Sequence, residues 1–386
     1  MTAIVTDAHY RMAAALIRDL VDAGIRVIVC EKNTESQPIG FVCRGIDRSV
    51  FLSESAYQDE LYALCDCVRQ QTGEKPALLP VGAATLSMLA ENRERFSAVC
   101  RMAVASAESL ALLNDKRRAA ALAGQLGIAV PAVYRKSESE DLPAFFSRVD
   151  LPCIVKPACG EKFGLSAAQR YRIARTEKEL QDAFIHFSSV TGEVPIVQEY
   201  LPGDGFGCSI LAKDGTVYAS ICHKRIREWP VTGGPSSCCE TADMPQLILA
   251  AKKMAEAIGF TGAAMFEFKE DAIGRPRFLE CNPRVWGTYP LTRVSGSNFA
   301  LCWLHAAMGD KIPPYVSPKP MRMVFYPSDF ASALGYLRKG NVKKSLETFC
   351  DLLNPRVKNG LFERNDPMPG RVYLKNLRKR GGKHDR

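Results

Sequence analysis

The sequence of 386 residues predicts an α/β chain that opens on a parallel sheet and continues into a mixed α+β region. Three observations carry that expectation. Strand-like apolar runs alternate with helical patterns over about the first 105 residues, the texture of βαβ units. Beyond residue 110, a hairpin signal and a pair of strands joined by a short turn call for antiparallel pairing. The composition, 47% hydrophobic and 24% charged, is too apolar for a disordered chain. At about 100 to 200 residues per domain, the length suggests two or three domains, each with its own core.

The elements follow in order. Residues 3–6 are short and β-prone, Ala13, Leu16, Ile17, Leu20 and Val21 recur at helical spacing, and residues 25–30 form an apolar run after Gly24. An apolar strand at 77–81, a helix at 84–92 and an apolar run at 102–105 continue the alternation, which favours a parallel, Rossmann-like sheet. Such a sheet invites a nicotinamide cofactor. However, the loop Thr6-Asp7-Ala8-His9-Tyr10-Arg11 has no glycine where G-x-G-x-x-G would admit a pyrophosphate. Glu31 therefore reads as a solvated carboxylate at a strand end, and His9 as a residue at a helix start.

Residues 114–124 look helical, and residues 153–157 form a short buried strand that leads into 158–166, with Gly160, Glu161, Lys162, Gly164 and Ser166. A strand at 171–175 precedes a helix whose start, Thr176 with Glu179 three residues on, has the form of a capping box. Residues 195–200 form another apolar strand. Strands at 207–212 and 216–222 flank Lys213, Asp214 and Gly215, a strong hairpin signal. A helix at 245–258 precedes two strands, 262–269 and 277–282, joined by a turn with Gly274 and Pro276. The most linker-like stretches are 312–320 and 365–370.

The formal net charge of +9 would suggest a nucleic-acid partner if it were spread over the chain. It is not. Residues 335–386 hold 14 Lys+Arg and 5 Asp+Glu out of totals of 51 and 42, leaving 37 of each sign in residues 1–334. No nucleic acid is expected, and the basic tail at 371–386 reads as a solvated terminus whose removal should spare activity. No integral membrane segment and no basic signal region are expected, which points to the cytoplasm. Fourteen cysteines without a C-x-x-C read as reduced, mostly buried side chains. With only five scattered histidines, a structural zinc site is disfavoured.

The most informative segments are Met265-Phe-Glu267-Phe-Lys269 and Phe278-Leu-Glu280-Cys-Asn282-Pro-Arg284. Alternation puts Glu280 and Asn282 on one face, and Phe266 and Phe268 opposite Glu267. If the strands are antiparallel neighbours, three hard oxygen ligands converge, which suits Mg²⁺, with Mn²⁺ as a substitute. Two facing carboxylates without a cation would repel. Arg284 suits a phosphate or carboxylate beside the metal, and Trp286 and Gly287 shape the wall.

Glu267 followed by Glu280-x-Asn282-Pro-Arg284 resembles the magnesium motif of the ATP-grasp superfamily, in particular its carboxylate-amine ligase branch, which includes the carbamoyl phosphate synthase large subunit and biotin carboxylase. The resemblance covers roughly residues 1–310. It implies a Rossmann-like pre-ATP-grasp domain (1–108), a two-lobed ATP-grasp domain (109–312, lid lobe about 130–198) and a basic C-terminal extension (313–386). It also implies that Lys116 and Lys156 bind the ATP phosphates, that Glu199 and Tyr200 meet adenine, that Asp204 meets the ribose, and that residues 160–166 form a lid loop. The activity implied is ATP-dependent ligation of a small carboxylic acid to an amine through an acyl phosphate, releasing ADP, with a homodimer as a compatible state. By position, the stretch 223–234, with His223, Arg225, Gly233 and Gly234, leaves a strand beside the metal residues, and Arg225 is the candidate for holding the acid or acyl phosphate. Three alternatives stay open: a bicarbonate-dependent carboxylase like biotin carboxylase, a non-catalytic ATP-binding module, and a nicotinamide-dependent oxidoreductase. No Walker-type phosphate loop is present.

Overall fold

The computed structural model describes residues 1–158, 163–165, 169–231 and 233–381. Four parallel strands form the first sheet: β1 (Thr2–Val5), β2 (Arg26–Lys32), β3 (Arg48–Leu52) and β4 (Ala77–Leu79), in the order β3-β2-β1-β4. The apolar runs of β1, β2 and β4 are continuous because both faces are covered. Ala3, Val5, Val27, Val29 and Leu79 pack with the helix Arg11–Asp22, while Ile4, Ile28, Cys30 and Leu78 pack with Leu61, Cys65 and Val68 of the helix Tyr57–Thr72. β3 escaped the sequence reading because it is an edge strand with alternating exposure and charged or polar starts. The expected strand at 102–105 is not one: Arg101 alone bridges to Ala77, and the chain then passes on to the helix Ala107–Asn114.

A second sheet is antiparallel throughout, in the order β5-β8-β6-β7. Its strands are β5 (Val133–Tyr134), β6 (Cys153–Lys156), β7 (Arg172–Ala174) and β8 (Ile196–Glu199). Phe145, Phe146, Phe184 and Phe187 from two helices seal one face. The helix Glu177–Thr191 starts as its sequence requires, with the Thr176 hydroxyl accepting from the Glu179 N–H.

The third sheet has seven strands: β9 (Gly205–Lys213), β10 (Thr216–Glu228), β11 (Ser236–Thr241), β12 (Gly262–Glu270), β13 (Pro276–Asn282), β14 (Arg322–Val324) and β15 (Lys358–Asn359). They lie in the order β13-β12-β9-β10-β11-β14-β15. Asp214 and Gly215, with φ of 50° and 80°, supply the left-handed pair that a two-residue hairpin turn needs. β10 does not end at residue 222 as expected. It runs on to Glu228, so Arg225 sits within the sheet.

The C-terminal residues also differ from expectation. The described residues 313–381 supply β14, β15 and three helices, Ser328–Arg338, Val342–Leu353 and Met368–Gly381. The last of these is docked: Val372 is buried, Tyr373 packs on the first core, and the Asn376 amide donates to the Gln37 carbonyl. Through residue 381, the basic stretch that reads as a solvated tail is thus a helix packed on the short helical turn Ile39–Val42. Among the described residues the cysteines are free, and all but Cys67 and Cys350 are buried. No described helix is long and apolar enough to cross a membrane.

Candidate active site

β12 and β13 are antiparallel neighbours, and their register sets Glu267 opposite Glu280 and Met265 opposite Asn282. A register shift beside Glu267 inserts Leu279 between the paired positions, which keeps Phe266, Phe268 and Phe278 in the core and the acids on the open face. The Asn282 amide donates to Glu267 Oε1 at 3.1 Å. Glu280 Oε2 meets Lys116 Nζ at 3.0 Å, and Glu267 Oε2 lies 3.8 Å from Arg225 Nη2. Burial, offset in part by Arg225 and reinforced by Glu280, holds Glu267 above the ordinary carboxylate range. Burial acts on Glu280 in the same direction, but Lys116, Lys156 and Arg225 together outweigh it and hold that carboxyl below its usual value.

Arg225 reaches Glu267 although β9 lies between their strands. The reason is compositional. β9 carries Gly205 and Gly207 where its neighbours carry Arg225 and His223; a Cβ at Gly207 would collide with the His223 ring, and one at Gly205 would lie 3.3 Å from Arg225 Cδ. Two missing side chains let two long ones lie across the strand. Arg225 also pairs with Glu228 at 3.1 Å. His223 is 2% exposed, faces the Thr288 hydroxyl at 3.2 Å, and is pushed down to about 3 by burial and then by Arg225, so it stays a neutral imidazole.

The two lysines come from a helix and a strand. Lys116 opens the helix Lys116–Gln125, whose cap is Asp115, and its N–H donates to the Ala158 carbonyl. Lys156 ends β6, is 7% exposed and is pushed down to about 8, first by burial and further by Lys116, against the pull of Glu280. Glu199 ends β8, where its carboxylate accepts from the Ala132 N–H at 3.0 Å. The Arg284 guanidinium donates to the Val285 carbonyl at 3.2 Å.

These side chains line one cavity of about 1000 Å³: Lys116, Lys156, Glu199, Tyr200, Arg225, Glu267, Glu280, Asn282 and Arg284 all face it. Asp204 does not. Its carboxylate is paired with Lys224 Nζ at 2.5 Å. Trp286 is buried in the wall, stacked edge-on against Tyr289 and Phe299. The lid-loop residues Gly160, Glu161, Lys162 and Ser166 lie outside the described residues.

Sequence reasoning missed part of the wall. Because β1 lies between β2 and β4, the chain leaves it in both directions and opens a crevice at the strand ends. His9, Tyr10, Arg11, Gly82 and Ala83 from that crevice, and Tyr373 from the C-terminal helix, line the same cavity. Glu31 is corrected as well: it is 4% exposed rather than solvated, and accepts from the His9 N–H and ring Nδ1 at 2.8 and 2.6 Å. The loop has no phosphate-loop glycine, and its signal in the sequence is the polar cluster His9-Tyr10-Arg11.

Fold and site together have the arrangement of the ATP-grasp fold: a parallel N-terminal sheet, a small antiparallel sheet carrying one lysine, and a large, mostly antiparallel sheet carrying the acidic pair. The family described as "ATP-grasp in the biosynthetic pathway with Ter operon" matches residues 192–325. The chain is 23% identical to the carbamoyl phosphate synthase large chain of Gemmatimonas aurantiaca over 236 residues, which are 55% of this chain and 21% of that protein. It thus spans about a fifth of that relative. Its fold is similar to the biotin carboxylase–β,γ-ATP complex of Campylobacter jejuni, with a TM-score of 0.63, 17% identity, and 81% and 72% of the two chains covered. It is similar as well to the L-amino acid ligase of Bacillus licheniformis, with a TM-score of 0.55, 13% identity, and 81% and 78% covered.

Proposed function

We propose that this chain binds Mg-ATP in the cavity and uses it to activate a small-molecule carboxylate, which an amine or similar nucleophile then takes up. One observation carries the reading: two lysines, an arginine, two facing carboxylates and an amide, drawn from separate stretches of the chain, line a single cavity. Phosphoryl transfer needs positioning and charge neutralisation more than covalent help from the protein. The donor set of Glu267, Glu280 and Asn282 fits Mg²⁺, or Mn²⁺ in its place, because all three are hard oxygen ligands and burial beside Glu280 already makes the Glu267 charge unfavourable. When bound, the cation would neutralise phosphate charge.

The chain's own residues do the rest. Lys116 and Lys156 offset the phosphate oxygens, and Lys156, carried on the lid sheet, brings its charge with the lid. Glu199 and Tyr200 hold adenine by backbone and side chain, and Asp204 reaches the ribose by exchanging Lys224 for a hydroxyl. Arg225 and Arg284 hold the reacting carboxylate. A carboxylate oxygen bonds to the γ-phosphorus as the bond to the bridging oxygen breaks and ADP leaves. The nucleophile's nitrogen then bonds to the acyl carbon, phosphate leaves, and the nitrogen gives up a proton. The carbamoyl phosphate synthase and amino acid ligase likenesses support this class of chemistry.

The test is an ADP-release screen over amino acids and small carboxylic acids, with hydroxylamine added to trap an acyl phosphate as hydroxamate. Glu280→Gln and Lys156→Ala are expected to lower substrate-dependent ADP formation at least about 100-fold in a folded protein. Full turnover in either variant, or ADP without hydroxamate, would defeat the reading.

A further inference from the structure

Three buried or half-buried arginines in this protein come with carboxylates. Arg18 pairs with Asp366 and Glu363, Arg227 with Asp329 and Asp351, and Arg293 with Asp19 and Glu363. Arg11, half-buried, differs from these three. It faces the cavity, its guanidinium carbon lies 3.5 Å from the centre of the Phe325 ring, and among the described residues no carboxylate pairs with it. Its position adds to the cost. It is the first residue of the helix Arg11–Asp22, whose first turn holds no acid, and side chains there point back toward the positive end of the helix dipole. Burial accordingly pushes the Arg11 guanidinium down from its ordinary value. A half-buried cation placed at the wrong helix end, facing a cavity without a counter-charge, is the arrangement expected of a site waiting for an anion.

We propose that Arg11, with Tyr373 beside it, binds a substrate carboxylate that the reaction does not consume. This rests on the ligase reading above and names a substrate class for it. The anion is a carboxylate because the planar fork of an arginine matches one with two parallel hydrogen bonds, with the Tyr373 hydroxyl as a further donor from the same wall. It is not the reacting carboxylate because Arg11 stands apart from the acidic pair. Arg225 Nη2 lies 3.8 Å from Glu267, whereas Arg11 stacks on Phe325, just past β14 and two strands beyond β10. Arg225 pairs across the sheet with Cys239, and Cys239 with Met323, two residues before Phe325. The two arginines are therefore near neighbours, one turned to the metal strands and the other to the crevice of the parallel sheet. A substrate spanning them carries an anion at its far end: either the acid is a dicarboxylate, or the nucleophile is an amino acid.

The experiment has a binding arm and a turnover arm. Calorimetry on the full chain with Mg-ADP present compares succinate, glutarate and free amino acids with their monoamides and amino acid amides as probes. At least one carboxylate probe is expected to bind, its amide about 10- to 100-fold more weakly, and Arg11→Met to erase the difference while Mg-ADP affinity holds. Arg11→Lys, which keeps the charge but not the fork, should restore part of it, and Tyr373→Phe should weaken the same probe without touching its amide. Turnover then locates the anion. A KM defect of Arg11→Met that persists with hydroxylamine as nucleophile puts the carboxylate on the acid, and one that vanishes puts it on the amine. If no carboxylate probe binds the native chain, or if a bound one is held equally by Arg11→Met, the subsite does not exist. That result is separable from failure of the ligase reading, which shows as the absence of acid-dependent ADP release whatever residue 11 is.

Discussion

His223 shows how one residue couples the sheet to pH. It is buried on the Gly207 backbone, and its folded value of about 3 lies well below the ordinary 6.5. The folded state therefore binds fewer protons than the unfolded state between those two values. Stability is fully present above pH 6.5 and is lost as pH falls toward 3. Between pH 7.5 and 5.0 the native chain should lose about 2 kcal/mol more than His223→Gln, which keeps a polar group for Thr288 but does not titrate. Urea denaturation of both proteins at the two pH values measures the difference, and parallel losses would show that the imidazole is not held neutral. The same residue illustrates what sequence could not provide. A lone histidine at the end of an apolar run carries no sign of burial, because burial here depends on a glycine one strand away. Glu267, Glu280 and Asn282 were legible for the opposite reason: strand alternation and a short turn bring them together locally, without help from distant chain.

At the scale of elements, β9 is the part that makes the site possible. Gly205 and Gly207 weaken a central strand on their own account, since glycine adds entropy cost and no packing. They are compensated by the side chains that lie over them. Gly207→Ala should destabilise the protein by about 1–3 kcal/mol through overpacking against His223, and Gly205→Ala by less, since Arg225 can shift by the few tenths of an ångström required. In a His223→Ala background the cost of Gly207→Ala should largely vanish, and a double-mutant cycle in urea reads that coupling directly. Undiminished cost in the double variant would mean that the backbone, not the histidine, needs the glycine. β9 and β10 were legible as a hairpin from Asp214 and Gly215. The extension of β10 to Glu228 was not, because Lys224, Arg225 and Arg227 look like loop residues until their partners across the sheet are known. β11 was missed for a related reason: Ser236, Ser237, Cys238 and Cys239 are small and weakly β-prone, and only burial in the middle of a seven-stranded sheet makes them a strand.

Across the whole molecule, the two chain ends are tied together. Arg18, in the first helix, donates to the Asp366 carboxylate and carbonyl, each at 2.8 Å, and to the Leu361 carbonyl at 2.9 Å. Arg293 joins the same group through Glu363 and Asp19. Contacts spanning more than 340 positions leave no trace in a local pattern, so the C-terminal charge excess reads as a solvated tail in sequence and as a docked helix in the fold. That helix brings Tyr373 to the cavity, so its anchoring bears on the site as well as on stability. Arg18→Ala removes the central donor and leaves the Asp366 carboxylate buried without its partner, at a cost of about 3–5 kcal/mol. Because Asp366 lies two residues ahead of the helix Met368–Gly381, the loss should fall first on that helix. Hydrogen exchange should then be faster in residues 368–379 than in β1 and β2. Binding in the crevice should weaken in step, while the acidic strands and the sheet β5-β8-β6-β7 keep native protection. Exchange that rises evenly over the chain, or not at all, would show that Arg18 does not anchor the C-terminal helix to the wall of the cavity.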